Sequence, residues 1–146
     1  MPDCRLLIVD DHGMIREGLR ALLANAPGIV VVGEAQDGHE AIALCRSLQP
    51  DVVLMDLKMP LLDGVSALTL ICRRWPKILI IALTSDVSEH HAALALEAGA
   101  VGYVLKRSRR DDLLQAITQV RAGKIFIDAG LDASQVIALR DRKSVV

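Results

Sequence analysis

The sequence predicts an α/β fold of the doubly wound type, in which helices cover both faces of a parallel sheet. Short apolar runs alternate with amphipathic helical patterns as far as residue 123, and this alternation is typical of βαβ units. The third, fourth and fifth runs are almost entirely apolar, as expected for strands that are buried on both faces. Five such units predict the strand order 2-1-3-4-5, with ligands bound at the carboxyl ends of the strands.

The first two units have clear start and stop signals. A strand is predicted at residues 5–9 and a helix at about 14–25, which Pro27-Gly28 closes. The apolar residues of this helix recur on one face: Ile15, Leu19, Leu22 and Leu23. The second strand is predicted at residues 30–35, and the helix after Gly38 reaches about residue 48.

The third unit is interrupted by a loop rich in turn-forming residues. Its strand is predicted at residues 52–55, and the loop carries Pro60 and the pair Asp63-Gly64. Its helix is predicted at residues 65–74. The helix ends at Trp75-Pro76, because a residue that precedes proline disfavours the helical conformation.

The last two units follow the same pattern. Strand four is predicted at residues 78–83, and a helix with Ser88 at its start follows to about residue 98. Strand five is predicted at residues 102–105, and the fifth helix extends from the Asp111-Asp112 pair to Gly123.

The segment 124–146 differs in character from the units before it. Residues 125–127 are predicted to be a short extended piece, 131–140 a helix, and 140–144 a polar exit. The chain is therefore expected to be either a single domain with a tail or one domain of a longer protein.

Composition bounds the class of protein. The 146 residues suit one domain, and with one Phe, one Tyr and one Trp the core must be aliphatic. No apolar stretch approaches the roughly 20 residues of a membrane span, and the start lacks a signal-peptide pattern, so a cytoplasmic protein is expected. A formal net charge of −1 does not predict a nucleic-acid-binding surface.

Carboxylate, hydroxyl and ammonium side chains lie at the carboxyl ends of four predicted strands: Asp10 and Asp11, then Asp56, then Thr84, then Lys106. In the predicted order, strands one and three are neighbours at about 4.8 Å, so the three carboxylates crowd together. Their repulsion is relieved by a hard cation such as Mg²⁺. An ammonium and a hydroxyl beside them complete a site for a phosphoryl group, with the central carboxylate, Asp56, as nucleophile.

Each of these residues also has an ordinary structural interpretation. The Asp10-Asp11 pair is typical of a helix cap, Thr84 of a turn, and Lys106 of a surface lysine. The histidines are dispersed without a metal-binding spacing and are predicted to be structural or solvated. The joint placement on four independent strand ends favours the functional interpretation.

Four strings carry this pattern: Val9-Asp10-Asp11-His12; Asp56-Leu57-Lys58-Met59-Pro60 with Asp63-Gly64; Thr84-Ser85; and Tyr103-Val104-Leu105-Lys106. Together they resemble the receiver domain of bacterial two-component response regulators, over about residues 4–123. Further strings resemble the NarL/FixJ branch, whose receiver precedes a LuxR-type helix-turn-helix: Arg16-Glu17-Gly18-Leu19, Val32-Gly33-Glu34-Ala35, and Ala98-Gly99-Ala100 with Gly102-Tyr103.

The resemblance implies a flavodoxin-like (βα)5 fold and a specific role for each carboxylate. Asp56 is expected to accept a phosphoryl group from a sensor histidine kinase. Asp11 and Asp56, with the backbone carbonyl of Lys58, are expected to ligate Mg²⁺, and Asp10 to assist through water. The protein is expected to act as a binding module and not as an enzyme.

The resemblance also implies a switch. Thr84 and Lys106 are expected to bind the phosphoryl oxygens, and Tyr103 to turn inward as Thr84 moves, with room left by the small Ser85. A homodimer is expected, and phosphorylation is expected to change its formation, through the face of helices four and five or through helix one.

Two departures from the family pattern limit what is expected. Residues 107–110, Arg-Ser-Arg-Arg, are basic where the family commonly has an acidic or small residue, which indicates either a solvated helix cap or a partner patch. Residues 4–123 are assigned to the receiver and 124–146 to a tail or linker. The second departure is that no helix-turn-helix follows Val146 in this sequence, so DNA contact is expected only through an output domain outside this chain.

Three other functions fit parts of the pattern. The first is a stand-alone receiver that acts through protein contacts. The second, a haloacid-dehalogenase-like phosphatase, expects a second Asp two residues after the nucleophile, where this chain has Lys58. The third, a flavodoxin-like flavin carrier, needs a phosphate-cradling loop after strand one, where Asp10-Asp11 would repel the phosphate.

Overall fold

The computed structural model describes residues 3–59 and 63–144, so the predicted loop residue Pro60 lies outside the described residues. Six parallel strands form one sheet in the order β2-β1-β3-β4-β5-β6. The strands are β1 (Cys4–Val9), β2 (Ile29–Ala35), β3 (Val52–Asp56), β4 (Leu79–Thr84), β5 (Gly102–Leu105) and β6 (Phe126–Ile127). The helices are α1 (Gly13–Leu23), α2 (Gly38–Leu48), α3 (Gly64–Arg74), α4 (Glu89–Ala98), α5 (Arg110–Arg121) and α6 (Ala133–Ser144). The predicted doubly wound fold is confirmed, with a sixth strand beyond the predicted order.

Two polar residues of the predicted site belong to strands and not to loops. Asp56 pairs with Leu83, and Thr84 pairs with Leu105, in the parallel ladders. Both strands therefore run one residue further than predicted. Backbone pairing fixes Asp56 and Thr84 in the rigid sheet, which holds their side chains at its carboxyl edge.

Aspartates cap two of the helices that border this edge. The side chain of Asp37 accepts a hydrogen bond from the amide of Glu40, and that of Asp63 accepts one from the amide of Ser66, each at 2.8 Å. Asp63 was predicted to serve a turn, and the structure shows it as the N-cap of α3 instead.

Gly64 is required by the close approach of α3 to the end of β3. A Cβ at this position would lie 2.3 Å from Leu57 Cα and 2.7 Å from the carbonyl oxygen of Asp56. The amide of Gly64 also donates to the carbonyl of Leu57 at 3.2 Å. The absent side chain lets the start of α3 pack directly on the backbone that follows Asp56.

The core has two aliphatic layers, one on each face of the sheet. Helices α2, α3, α4 and α6 cover one face and α1 with α5 covers the other. In the part of the chain that the structure describes, no helix is both long enough and apolar enough to cross a membrane.

The tail continues the alternation of strand and helix. Strand β6 pairs with β5, and α6 packs against α4 with Val136 fully buried. The predicted bounds of the tail helix, 131–140, are wrong at both ends. The Asp132 side chain accepts from the Gln135 amide and so caps a helix that begins at Ala133. The residues predicted to be a polar exit continue this helix, because Arg and Lys are good helix formers.

Candidate functional site

The predicted carboxylates meet at the carboxyl edge of the sheet. Asp10 and Asp56 are buried, at 1% and 3% exposure, because β1 and β3 are adjacent in the sheet. One ligand atom from each of Asp10, Asp11, His12 and Asp56 lies within 4.8 Å of the others. The sequence predicted the three aspartates of this cluster. It missed His12, whose only signal was its position next to Asp11.

Hydrogen bonds from nearby backbone amides fix the orientation of two of these carboxylates. Oδ1 of Asp10 accepts from the amide of His12 at 2.9 Å, and Oδ1 of Asp56 accepts from the amide of Lys58 at 3.1 Å. His12 is the N-cap of α1 and makes no side-chain capping bond. The aspartates that precede it therefore face the site, and the helix-cap interpretation of the pair is wrong.

An arginine of α1 holds the loop that carries the aspartates. Its Nη1 donates to the backbone carbonyl of Asp10 at 2.6 Å, and Nε of the same Arg16 donates to Glu34 at 3.2 Å. Glu34 also pairs with Arg20, and the hydrogen bond from Arg20 is the main cause that lowers the pKa of Glu34. These contacts tie the loop after β1 to α1 and β2.

Lys106 reaches the carboxylates from the end of β5. Its Nζ lies 2.9 Å from Oδ2 of Asp10 and 3.4 Å from Oδ2 of Asp56, and its amide donates to the carbonyl of Thr84 at 2.8 Å. Burial acts to lower the pKa of Lys106, but attraction to Asp10 and Asp56 outweighs it and raises that pKa. The ammonium is therefore charged at neutral pH and partly neutralises the cluster.

Asp56 has the properties of a crowded buried acid. Burial raises its pKa, and the charge of Asp10 adds to this effect. The Lys58 amide and the Lys106 ammonium act in the opposite direction, but the net shift is upward. Additional positive charge at this position would stabilise the ionised form of Asp56.

The donor set fits a hard divalent cation. Oδ2 of Asp10 and Oδ1 of Asp11 are buried. They lie near Lys106 and His12, respectively, but accept no hydrogen bond of suitable geometry among the described residues. Carboxylate oxygens of this kind are the ligands that Mg²⁺ prefers. The carboxylates of Asp10, Asp11 and Asp56 are the groups that would hold the ion. The role predicted for the Lys58 carbonyl stays a prediction.

Thr84 ends β4, the strand next to β3, and Ser85 follows it. Thr84 is buried at 2% exposure, and its hydroxyl accepts a hydrogen bond from the amide of Asp86 at 3.1 Å. Ser85 is exposed. The hydroxyl of Thr84 thus orders the loop between β4 and α4.

Tyr103 is completely buried beneath that loop. Its hydroxyl donates to the carbonyl oxygen of Asp86 at 3.1 Å. Burial, with the nearby charge of Asp86, raises the pKa of Tyr103 to about 12, so the hydroxyl remains a donor at neutral pH. The aromatic ring therefore faces inward in this structure.

An ion cluster at the mouth of the site was missed from the sequence. Nζ of Lys58 lies 2.8 Å from Oδ1 of Asp86, and Nδ1 of His91 lies 3.3 Å from Oδ2 of the same carboxylate. The Lys58 hydrogen bond is the main cause that lowers the pKa of Asp86. The cluster joins the loop after β3 to the loop after β4, and no motif or spacing indicates it.

Comparison with known proteins identifies the family. Residues 6–118 match the family model described as response regulator receiver domain. The chain is 40% identical over 136 residues to the transcriptional regulatory protein LiaR of Bacillus subtilis, covering 93% of this chain and 64% of LiaR. It is 36% identical over 139 residues to the nitrate/nitrite response regulator protein NarL of Escherichia coli, covering 95% of this chain and 64% of NarL. The chain thus spans slightly less than two thirds of these relatives.

A solved structure shares the whole architecture. The crystal structure of a LuxR-family two-component response regulator from Aurantimonas superposes with a TM-score of 0.82 at 35% identity, covering 99% of each chain. The family match spans most of the chain, and it includes Asp10, Asp56, Thr84 and Lys106. The chain therefore belongs to the response regulator receiver domain family, and its relatives place it among the NarL/FixJ-type regulators of two-component systems.

Proposed function

We propose that this receiver is switched by phosphorylation of Asp56, with the phosphoryl group supplied by a partner histidine kinase and with Mg²⁺ as cofactor. The observation that carries the proposal is the convergence of Asp56 with Asp10, Asp11 and Lys106 at one edge of the sheet. Because these groups combine a nucleophile, ligands for a hard cation and a fixed ammonium, they match the needs of phosphoryl transfer.

The proposed reaction moves a phosphoryl group from an imidazole nitrogen to a carboxylate. An oxygen of Asp56 attacks phosphorus, the new P–O bond forms as the P–N bond breaks, and the leaving imidazole takes a proton from solvent. Lys106 stabilises charge on the transferred oxygens, and Thr84 turns its hydroxyl toward them. Asp11, Asp56 and the Lys58 carbonyl would hold Mg²⁺, with Asp10 assisting through water, and the ion would supply further charge neutralisation.

The proposed switch uses the contacts around the loop after β4. If Thr84 turns toward the phosphoryl oxygens, its hydroxyl no longer accepts the hydrogen bond from the amide of Asp86. The loop after β4, whose Asp86 carbonyl accepts a hydrogen bond from Tyr103, is then free to rearrange. Exposed Ser85 gives this loop freedom to move. New charge at Asp56 thus biases an element that has two arrangements.

We assign residues 4–123 to the receiver and 124–146 to a tail that packs on it and leads toward a DNA-binding output domain. The relatives that carry this assignment are longer than the chain and include a transcriptional regulatory protein. Cytoplasmic location is part of the proposal.

We place the proposed homodimer contact on α1. Helix α6 covers part of α4, whereas α1 leaves Met14 86% exposed and Ile15 36% exposed. Sedimentation with beryllium fluoride, a phosphoryl mimic, should show a dimer that Met14→Asp weakens. A dimer that Met14→Asp leaves unchanged would contradict this placement.

Phosphorylation itself is tested with a small acyl phosphate and Mg²⁺. Mass spectrometry should show one added phosphoryl group that is absent in Asp56→Asn and that is lost slowly. Fast multiple turnover would instead indicate a phosphatase. No labelling of the wild-type protein would contradict the proposal.

A further inference from the structure

The tail contains a buried carboxylate beside the phosphoryl-binding lysine. Asp128 follows β6 and is only 7% exposed. It accepts hydrogen bonds from the amide of Leu105 at 3.0 Å, from the amide of Gly130 at 2.9 Å and from the hydroxyl of Ser108. Two of these donors stand immediately before and shortly after Lys106. Asp128 lies outside the part of the chain that matches the receiver family, yet it holds the backbone around Lys106 by hydrogen bonds.

The sheet fixes Asp128 in this position. The amide of Asp128 donates to the carbonyl of Tyr103 at 2.9 Å, and Ile127 pairs with Tyr103 in the parallel ladder. The Asp128 side chain then takes the place of the next main-chain acceptor for β5. It prolongs the ladder by one hydrogen bond, to the last residue before Lys106.

The turn after Asp128 is also fitted to this contact. A Cβ on Gly130 would lie 2.8 Å from Cδ1 of Leu105, so a larger residue here would require the Leu105 side chain to shift. Burial acts to raise the pKa of Asp128, but its three hydrogen bonds and the charge of Arg107 outweigh burial and lower it. The carboxylate is therefore ionised at neutral pH, and its hydrogen bonds are charge-assisted and strong.

From this geometry we propose that Asp128 is a positioning residue for Lys106, and that the tail is therefore part of the phosphoryl-binding site. The inference rests on the function proposed above. The backbone of Lys106 is held on one side by the hydrogen bond that its amide donates to the carbonyl of Thr84. On the other side it is held by the Asp128 contacts with Leu105 and Ser108. Both restraints are needed to fix where its ammonium lies.

Loss of the Asp128 carboxylate has a distinctive expected effect. The amide of Leu105 is left buried without an acceptor, so the backbone before Lys106 must shift to reach water. A misplaced ammonium slows phosphoryl transfer. It does not weaken a cation site made by Asp10, Asp11 and Asp56, because an ammonium competes with the cation for these carboxylates.

The test compares three full-length variants with the wild type. Asp128→Ala removes the acceptor, and Asp128→Asn retains an uncharged one. Asp132→Ala is the matched control, because Asp132 caps α6 in the same tail and its hydrogen bonds in the described structure are to Glu89 and Gln135, not to Leu105 or Ser108. Two quantities are measured: the rate constant of phosphorylation by acetyl phosphate at saturating Mg²⁺, and the Kd for Mg²⁺ by calorimetry.

We expect Asp128→Ala to slow phosphorylation about tenfold or more, the scale at which small misplacements act, while its Mg²⁺ Kd stays equal or falls. Asp128→Asn should restore part of the rate, and Asp132→Ala should match the wild type. If Asp128→Ala does not fold, as judged by circular dichroism, a slower rate with unchanged Kd in Asp128→Asn supports the inference.

Several results would overturn it. Equal rates for the wild type and a folded Asp128 variant would contradict this inference and leave the proposed function intact. A parallel loss of rate and Mg²⁺ affinity would indicate a merely structural role. Absence of labelling in the wild type would overturn the proposed function and this inference together.

Discussion

The ammonium of Lys106 lies nearer to Asp10, at 2.9 Å, than to the proposed phosphoryl acceptor. This lysine therefore acts first as a counter-ion for a buried carboxylate. A cation bound by the same carboxylates would compete with it. The ammonium would then be free to turn toward a phosphoryl group on Asp56.

We predict that Lys106→Met binds Mg²⁺ more tightly than the wild type while its phosphorylation is slower. Removing a unit positive charge beside the ligands should improve affinity by about tenfold. Calorimetry at low salt measures the Kd. Lys124→Met, at an exposed site in the tail, is the control and should leave the Kd unchanged. Weaker Mg²⁺ binding in Lys106→Met would show that the lysine supports the site by structure alone.

We predict that Asp56→Asn raises the melting temperature of the metal-free protein at neutral pH. The folded protein raises the pKa of Asp56 above its ordinary value of 3.8, so its stability falls as pH rises through the folded-state pKa. Asparagine lacks this ionisation, and the gain should shrink as pH is lowered toward 3.8. Calorimetric scans with a chelator measure it, with exposed Asp3→Asn as control. A gain that does not depend on pH would point to packing instead.

We predict opposite effects for alanine at two glycines. Gly64→Ala should destabilise by about 3 kcal/mol or more, because its Cβ would overlap backbone atoms of the Asp56–Leu57 segment. Gly18→Ala, in α1 with open space around its Cβ, should stabilise by about 0.5–1 kcal/mol. Urea unfolding measures both. Similar values for the two variants would contradict the close approach of α3 to β3.

We predict a weak, salt-sensitive coupling between Lys58 and Asp86. Their contact is partly exposed, so a double-mutant cycle with Lys58→Met and Asp86→Asn should give about 0.2–1 kcal/mol. The coupling should fall in 1 M salt, where charges are screened over a few Å. A coupling that persists unchanged in high salt would show that hydrogen-bond geometry, and not charge, joins the two loops.

The order of strands and the position of the carboxylates were predictable, because both follow from local patterns. Apolar runs as distinct as residues 78–83 indicate buried strands, and the doubly wound order brings strand ends to one edge. The placement of Asp10, Asp11 and Asp56 in one cluster is therefore confirmed. Their roles in phosphoryl transfer stay predictions.

The contacts between the two loops, and those that the tail makes with the sheet and with α4, were not predictable in the same way. Strand β6 has only two residues, too few for a periodic signal. Val136 is buried only because its helix packs against another helix, and the sequence does not indicate that contact. Two contacts join residues that are far apart in sequence: the ion pair between Lys58 and Asp86, and the hydrogen bond from the Leu105 amide to Asp128. Their partners are set by the fold and not by any local spacing.

The sixth strand has a practical consequence for anyone who wishes to isolate the smallest working receiver. The family match ends at residue 118, which suggests a cut near Gly123. Such a cut would remove β6 and make β5 an edge strand of the sheet. It would also expose to water the apolar side of α4 that packs against α6. Bare edges and apolar faces promote aggregation. A fragment that ends after α6 avoids both hazards.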